Sequence, residues 1–131
     1  MAESTRPAPS TKPLVQKLLL KPGARAAVLN APEGYLDQLG AAIAQQLDAG
    51  PPFDFIQVFV ARRDELLAIG RQLRGALKPG GVLWIAYPKG KALPTDLNRD
   101  VVRLAAQEVG LEVVSQVAID DVWSALRAKV V

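Results

Sequence analysis

The chain has 131 residues, half of them hydrophobic and few of them aromatic, and carries a net charge of +3 from 16 basic and 13 acidic side chains. That length suits one domain able to bury a sizeable aliphatic core, and so mild a positive excess fits an anionic small ligand or weak nucleic-acid contact without requiring either. With no cysteine and no histidine, a thiol nucleophile, a Ser-His-Asp triad, a Cys/His zinc site, a disulfide framework and an imidazole general base are all excluded.

Residues 1–13 are rich in Ser, Thr, Pro and Ala and contain no apolar run. They read as a disordered tail rather than a signal peptide. No stretch approaches the ~20 apolar residues of a membrane span, so a cytoplasmic protein is expected. Residues 14–131 are expected to form a single domain. Residues 14–20 make a short helix candidate, stopped by Lys21-Pro22-Gly23. A first strand follows over 25–30, centred on Ala26, Ala27, Val28 and Leu29. From about Gly34, Leu36, Leu39, Ile43 and Leu47 recur at three and four residues, which predicts an amphipathic helix. Gly50-Pro51-Pro52 ends it.

Phe53, Phe55, Ile56, Val58, Phe59 and Val60 make the second strand, apolar enough to be covered on both faces as parallel strands are. Asp54 reads as a solvated end residue. The next helix starts near Asp64 and turns Leu66, Ile69, Leu73 and Leu77 to the core, with Arg71, Arg74 and Lys78 on a solvated face. Pro79-Gly80-Gly81 then predicts a turn, and residues 82–87 a third strand stopped by Pro88. Thr95 is placed to cap a helix over 96–109, where Asp96 would favour the positive end of the helix dipole. Gly110 ends that helix. Residues 111–119 and 122–130 read as two strands joined by an Asp120-Asp121 turn, hence antiparallel. The alternation predicts an α/β three-layer sandwich whose first three strands are parallel, joined by right-handed crossovers.

Two resemblances carry further implications. Leu19-Leu20-Lys21-Pro22-Gly23 followed by Ala27-Val28-Leu29 resembles the entry to the class I methyltransferase fold, a Rossmann-like fold whose members bind S-adenosylmethionine (SAM). Leu77-Lys78-Pro79-Gly80-Gly81-Val82-Leu83 resembles its later helix-turn-strand. This likeness implies a five-stranded mixed sheet in the order 1-2-3-5-4, the last strand inserted antiparallel, with two of the family's strand-helix units missing. The family's glycine-rich cofactor loop falls on Asn30-Ala31-Pro32-Glu33-Gly34-Tyr35, which has one glycine. The acidic residue that holds the ribose in that family has no counterpart. A closer resemblance is to a family of short bacterial proteins known only as a domain of unknown function. It is carried by the same six residues, by Tyr87-Pro88-Lys89, by Thr95-Asp96-Leu97-Asn98-Arg99-Asp100 and by Trp123-Ser124-Ala125-Leu126-Arg127. It implies no activity.

Ligands of open α/β sheets bind outside the carboxyl ends of the parallel strands. Three loops meet there, over residues 30–35, 61–64 and 88–96. They bring Asn30, Glu33, Tyr35, Arg62, Arg63, Lys89 and Lys91 to one edge, joined by Asp96, Asn98 and Arg99 from the polar run that follows. Four cations among the first seven suggest a phosphate or carboxylate ligand, helped by helix N-termini. Asp96 and Asp100, four apart, would share a helix face and could hold Mg²⁺ with a phosphate. Capping by Thr95 and ion pairs around Arg99 explain the same residues without a metal, and no metal site is assigned. Ser124 has no histidine to activate it. Trp84 and Trp123 are expected in the core or on a sheet face, and Arg127 is expected to pair with Asp100 or Asp121.

With the cofactor loop incomplete and no catalytic pair visible, the expectation is a non-enzymatic binding or interaction module on a degenerate methyltransferase-like scaffold. Its expected partners are an anionic small molecule and a second copy of the chain, not nucleic acid or a membrane. The alternative is a small-molecule enzyme, or a SAM- or nucleotide-binding protein, acting at the C-terminal edge of the parallel strands.

Overall fold

The computed structural model describes residues 14–21, 23–39, 43–45, 52–90 and 93–130; the expected tail, residues 1–13, lies outside them. In chain order the elements are α1 (Leu14–Lys17), β1 (Ala26–Leu29), α2 (Tyr35–Leu39), β2 (Ile43–Ala44) and β3 (Phe53–Phe59). There follow α3 (Arg63–Ala76), β4 (Leu77–Pro88), α4 (Arg99–Glu108), β5 (Leu111–Ala118) and β6 (Trp123–Val130).

The sheet has six strands in the order β2-β1-β3-β4-β6-β5, which corrects the five-strand expectation. The addition is β2, a two-residue strand parallel to β1 at the outer edge, with Ala26 opposite Ile43. By spacing, Ile43 fits the stripe of the preceding helix, since it lies four residues after Leu39. The helix instead ends at Leu39. Leu47, the last residue of that stripe, lies outside the described residues. β1, β3 and β4 run parallel. β6 is antiparallel to β4 on one side and to β5 on the other.

Alternation along the buried strands sorts the core into two layers. Ala27, Leu29, Ile56, Val58, Leu83 and Ile85 face Leu66, Leu73 and Ala76 of α3 and Val102, Ala105 and Ala106 of α4. Ala26, Val28, Phe55, Phe59, Trp84 and Ala86 face Tyr35 and Leu39 of α2 together with Leu18 and Leu20 beyond α1. The Trp84 indole N–H donates to the Leu18 carbonyl at 2.7 Å, so its one polar atom is satisfied inside that layer. This is the three-layer α/β sandwich expected from the pattern.

The glycine segment behaves differently from a turn between elements. α3 ends at Ala76, and β4 begins at once with Leu77 opposite Phe53. Val82 then pairs with Phe55, so residues 78–81 all bulge out opposite Asp54. Pro79 has no N–H to give a ladder, and Gly80 takes φ +79°, a conformation that favours glycine. No helix among the described residues is long and apolar enough to cross a membrane.

The α3–α4 contact depends on a residue without a side chain. A Cβ on Gly70 would come within 2.5 Å of Val109 Cγ2. Gly70→Ala should therefore destabilise the fold by about 1–3 kcal/mol through overpacking, despite the ~1 kcal/mol gain in helix propensity. Urea unfolding reads this directly. A stabilised variant would show that Val109 moves aside freely.

Candidate functional site

The carboxyl ends of β1 and β3 lie side by side, and the chain leaves them in opposite directions. After β1 it enters the α2 layer and reaches β2 on one side. After β3 it enters the α3 layer and reaches β4 on the other. Such a switch point opens a crevice at the carboxyl ends of the strands.

Asn30 stands at this switch point. It takes φ +59° as β1 ends, a left-handed conformation that asparagine tolerates better than most residues. Its side-chain amide donates to the Phe59 carbonyl at 3.5 Å, reaching from the end of β1 to the end of β3. The loop then closes through the Tyr35 N–H on the Pro32 carbonyl at 3.0 Å. Glu33 projects from this loop into solvent, and Gly34 at φ +81° has open space beside it.

Tyr35 does not reach the edge. It is 3% exposed, and its hydroxyl donates to Gln57 Oε1 at 2.7 Å inside the α2-side layer. Its ring meets Phe59 edge-on at 4.7 Å, and Phe59 in turn meets Trp123 at 4.9 Å. Burial pushes the Tyr35 hydroxyl pKa well above its ordinary value of 10. Gln57 is fully buried, though the sequence reading assigns it no role. As the one polar residue between Ile56 and Val58, it could have signalled a buried partner.

The loops after β3 and β4 are clasped to each other. Glu65 Oε1 accepts from the Ala61 and Arg62 N–H groups at 2.8 and 3.0 Å, and Asp96 Oδ1 accepts from the Arg63 N–H at 2.8 Å. Thr95 donates its hydroxyl to the Ala61 carbonyl and accepts from the Leu97 N–H. The N–H groups of Ala61, Arg62 and Arg63, which lead into α3, are thus engaged by the chain's own carboxylates. The α4 start is closed too. Its cap is Asn98, whose side chain accepts from the Val101 N–H at 2.9 Å. The capping role given to Thr95 is corrected accordingly.

Asp96 lies before α4, not within it, so it shares no helix face with Asp100. Asp100 pairs with Arg103 rather than Arg127, and Arg63 pairs with Glu108 across the two helices. Arg62 and Arg99 are exposed at the starts of α3 and α4, and Lys89 is half-buried at the end of β4, its N–H on the Val122 carbonyl. Lys91 lies outside the described residues. Of the expected charged set, Glu33, Arg62, Lys89 and Arg99 have no ion-pair partner among the described residues.

Solved structures share this fold. The chain is similar to a ribosomal protein L11 methylase from Lactobacillus delbrueckii subsp. bulgaricus, at 17% identity and a TM-score of 0.62 over 89% of this chain and 74% of that one. A TehB-like SAM-dependent methyltransferase from Corynebacterium glutamicum matches at 15% identity and 0.62, over 89% and 85%. The CcbJ methyltransferase from Streptomyces caelestis matches at 12% and 0.60, over 89% and 86%. No family model and no curated protein matches the chain, so the likeness to a short bacterial family rests on sequence motifs alone. The fold is that of the class I SAM-dependent methyltransferases. This overturns the expectation of a non-enzymatic interaction module: the structures the chain resembles are methyltransferases, and the alternative reading, a protein acting at the C-terminal edge, fits them better.

Two measurements follow from the clasp and from Tyr35. Asp96→Ala removes the acceptor for the Arg63 N–H and should cost about 1 kcal/mol in urea unfolding, as loss of a helix cap does; an unchanged midpoint would show that water replaces it. The raised Tyr35 pKa means the unfolded chain loses this proton first as pH rises. The contribution is complete below pH 10, the ordinary tyrosine value, and is lost progressively above it. Tyr35→Phe should flatten the fall in stability above that pH. An identical alkaline profile in the variant would contradict the assignment.

Proposed function

We propose that the chain is a methyltransferase that binds SAM in the crevice between the carboxyl ends of β1 and β3 and acts on a small molecule there. The observation that carries this reading is the divergence of the chain at that point, with Asn30 spanning the two strand ends. The fold likeness to methyltransferases supports it.

The residues present fit such a cofactor in their chemistry. The left-handed Asn30 and Gly34 let the loop backbone turn without bulky side chains, which serves the close approach that glycines provide in the family's loop. Glu33 would accept from ribose hydroxyls, and Arg62 and Lys89 would hold the carboxylate of the methionine part. The cofactor supplies an electrophilic methyl group on a sulfonium. What remains for the chain is to bind, orient and exclude water, and none of these tasks needs a histidine or a cysteine.

Thermal unfolding with SAM and with S-adenosylhomocysteine tests this. Ligand at a hundred times its Kd adds about 2.7 kcal/mol, so the midpoint should rise by several degrees. Glu33→Ala should reduce the rise. Asn30→Gly keeps the backbone conformation and removes the amide bridge, and should weaken affinity about tenfold, the equivalent of one hydrogen bond at about 1.4 kcal/mol. No response to either compound would overturn the proposal, and a response to ATP alone would replace SAM by a nucleotide.

A further inference from the structure

The opposite edge of the sheet carries a different chemistry. A cleft of about 560 Å³ opens where α3 ends, β4 begins and β6 finishes. Arg74, Lys78, Arg127 and Lys129 line it, and no acidic residue does. Gly80 and Gly81 form part of the wall, which leaves main chain open to an occupant. A Cβ on Gly81 would lie 2.9 Å from the Lys78 carbonyl oxygen and 3.1 Å from that of Asp54, so a side chain there would disturb the bulge.

Four cations in one concavity repel each other, and their partners within the chain are few. Lys78 pairs with Asp54 at 3.3 Å. The Arg25 N–H and then Lys78 hold the Asp54 carboxyl below the usual carboxylate range. This carboxylate lines the neighbouring cavity, not the cleft. Glu112 stands opposite Lys129 in the strand register, but Arg74, Arg127 and Lys129 have no ion-pair partner among the described residues. The Arg74 guanidinium lies over Gly110, where any Cβ would meet it at 2.9 Å. It is exposed, and so free to turn toward a ligand in the cleft.

We propose that this cleft binds a multiply charged phosphate ligand, either a free polyphosphate compound or the phosphate backbone of a nucleic-acid strand. Two guanidinium forks and two ammonium groups match the oxygens of adjacent phosphates. SAM itself is a poor candidate, because its sulfonium and ammonium would face four like charges. The cleft is also separate from the proposed cofactor crevice. At roughly 3.3 Å per residue, residues 82–88 of β4 put about 20 Å between the two edges. A small phosphate compound held here cannot also be the methyl acceptor at the crevice, whereas a strand of nucleic acid is long enough to reach both.

Tripolyphosphate and a short single-stranded RNA serve as the two probes, with affinity measured by calorimetry or anisotropy as salt is varied. Binding of either probe supports the cleft, and binding of RNA alone identifies a strand as its source. For RNA, neutralising about four phosphates predicts a slope of log K against log salt of about −3, at roughly −0.7 per phosphate. The double variant Arg74→Gln, Lys129→Gln should weaken binding at least tenfold and reduce that slope by about 1.4. Its unfolding midpoint and its response to SAM should stay as in the parent, which separates failure here from failure of the cofactor reading. Lys78→Gln, at an exposed residue, offers a second variant if the double one folds poorly, and should lose affinity severalfold. Absence of binding by both probes, or binding that these variants leave unchanged, would overturn the proposal.

Discussion

β1 and β3 are hydrogen-bonded neighbours, Ala26 to Phe55 through Leu29 to Val58, and the chain must leave their carboxyl ends toward opposite layers. The proposed cofactor crevice depends on that divergence. α2 takes the chain to one face and α3 takes it to the other, so no covalent connection covers the space between the two strand ends. Asn30 bridges it with a side-chain amide on the Phe59 carbonyl. The core packs against the two strands on either face. Beyond Asp54 at its start, β3 is apolar on both sides except at Gln57, and Gln57 is tied to Tyr35.

The cationic residues divide between the two ends of the sheet for electrostatic reasons. At the C-terminal edge Glu65, Asp96 and Asn98 already accept from N–H groups at the helix starts, and Arg63 is taken up by Glu108. The expectation of an anionic ligand at this edge therefore has weaker support than its count of cations suggests. At the other edge, four cations line one cleft without an acidic residue beside them. The two proposed sites thus differ in their electrostatics.

Much of the scaffold was legible because its signals are local. The leucine spacing of α3, the apolar run of β3 and the Asp120 turn before β6 each reflect one element's own periodicity or turn chemistry. Asp120 does accept from the Val122 and Trp123 N–H groups there. What was not legible depends on contacts between distant residues. Ile43 fits a helical stripe by spacing and joins β2 only because β1 offers an open edge. Tyr35 looks like a loop residue until Gln57, twenty-two positions later, takes its hydroxyl. Asp96 reads as a first-turn helix residue, yet it serves the N–H of Arg63, thirty-three positions earlier. The basic cleft joins residues 74 and 78 to residues 127 and 129, and the first pair alone looks like an ordinary solvated helix face.

The central claim is that the crevice between β1 and β3 is where the cofactor sits. Backbone amide chemical shifts recorded during titration with SAM test it most directly. The account predicts saturable changes centred on residues 30–35 and 59–62, with residues 78–81 and 127–130 undisturbed. Changes confined to the latter segments, or none at saturating ligand, would contradict it.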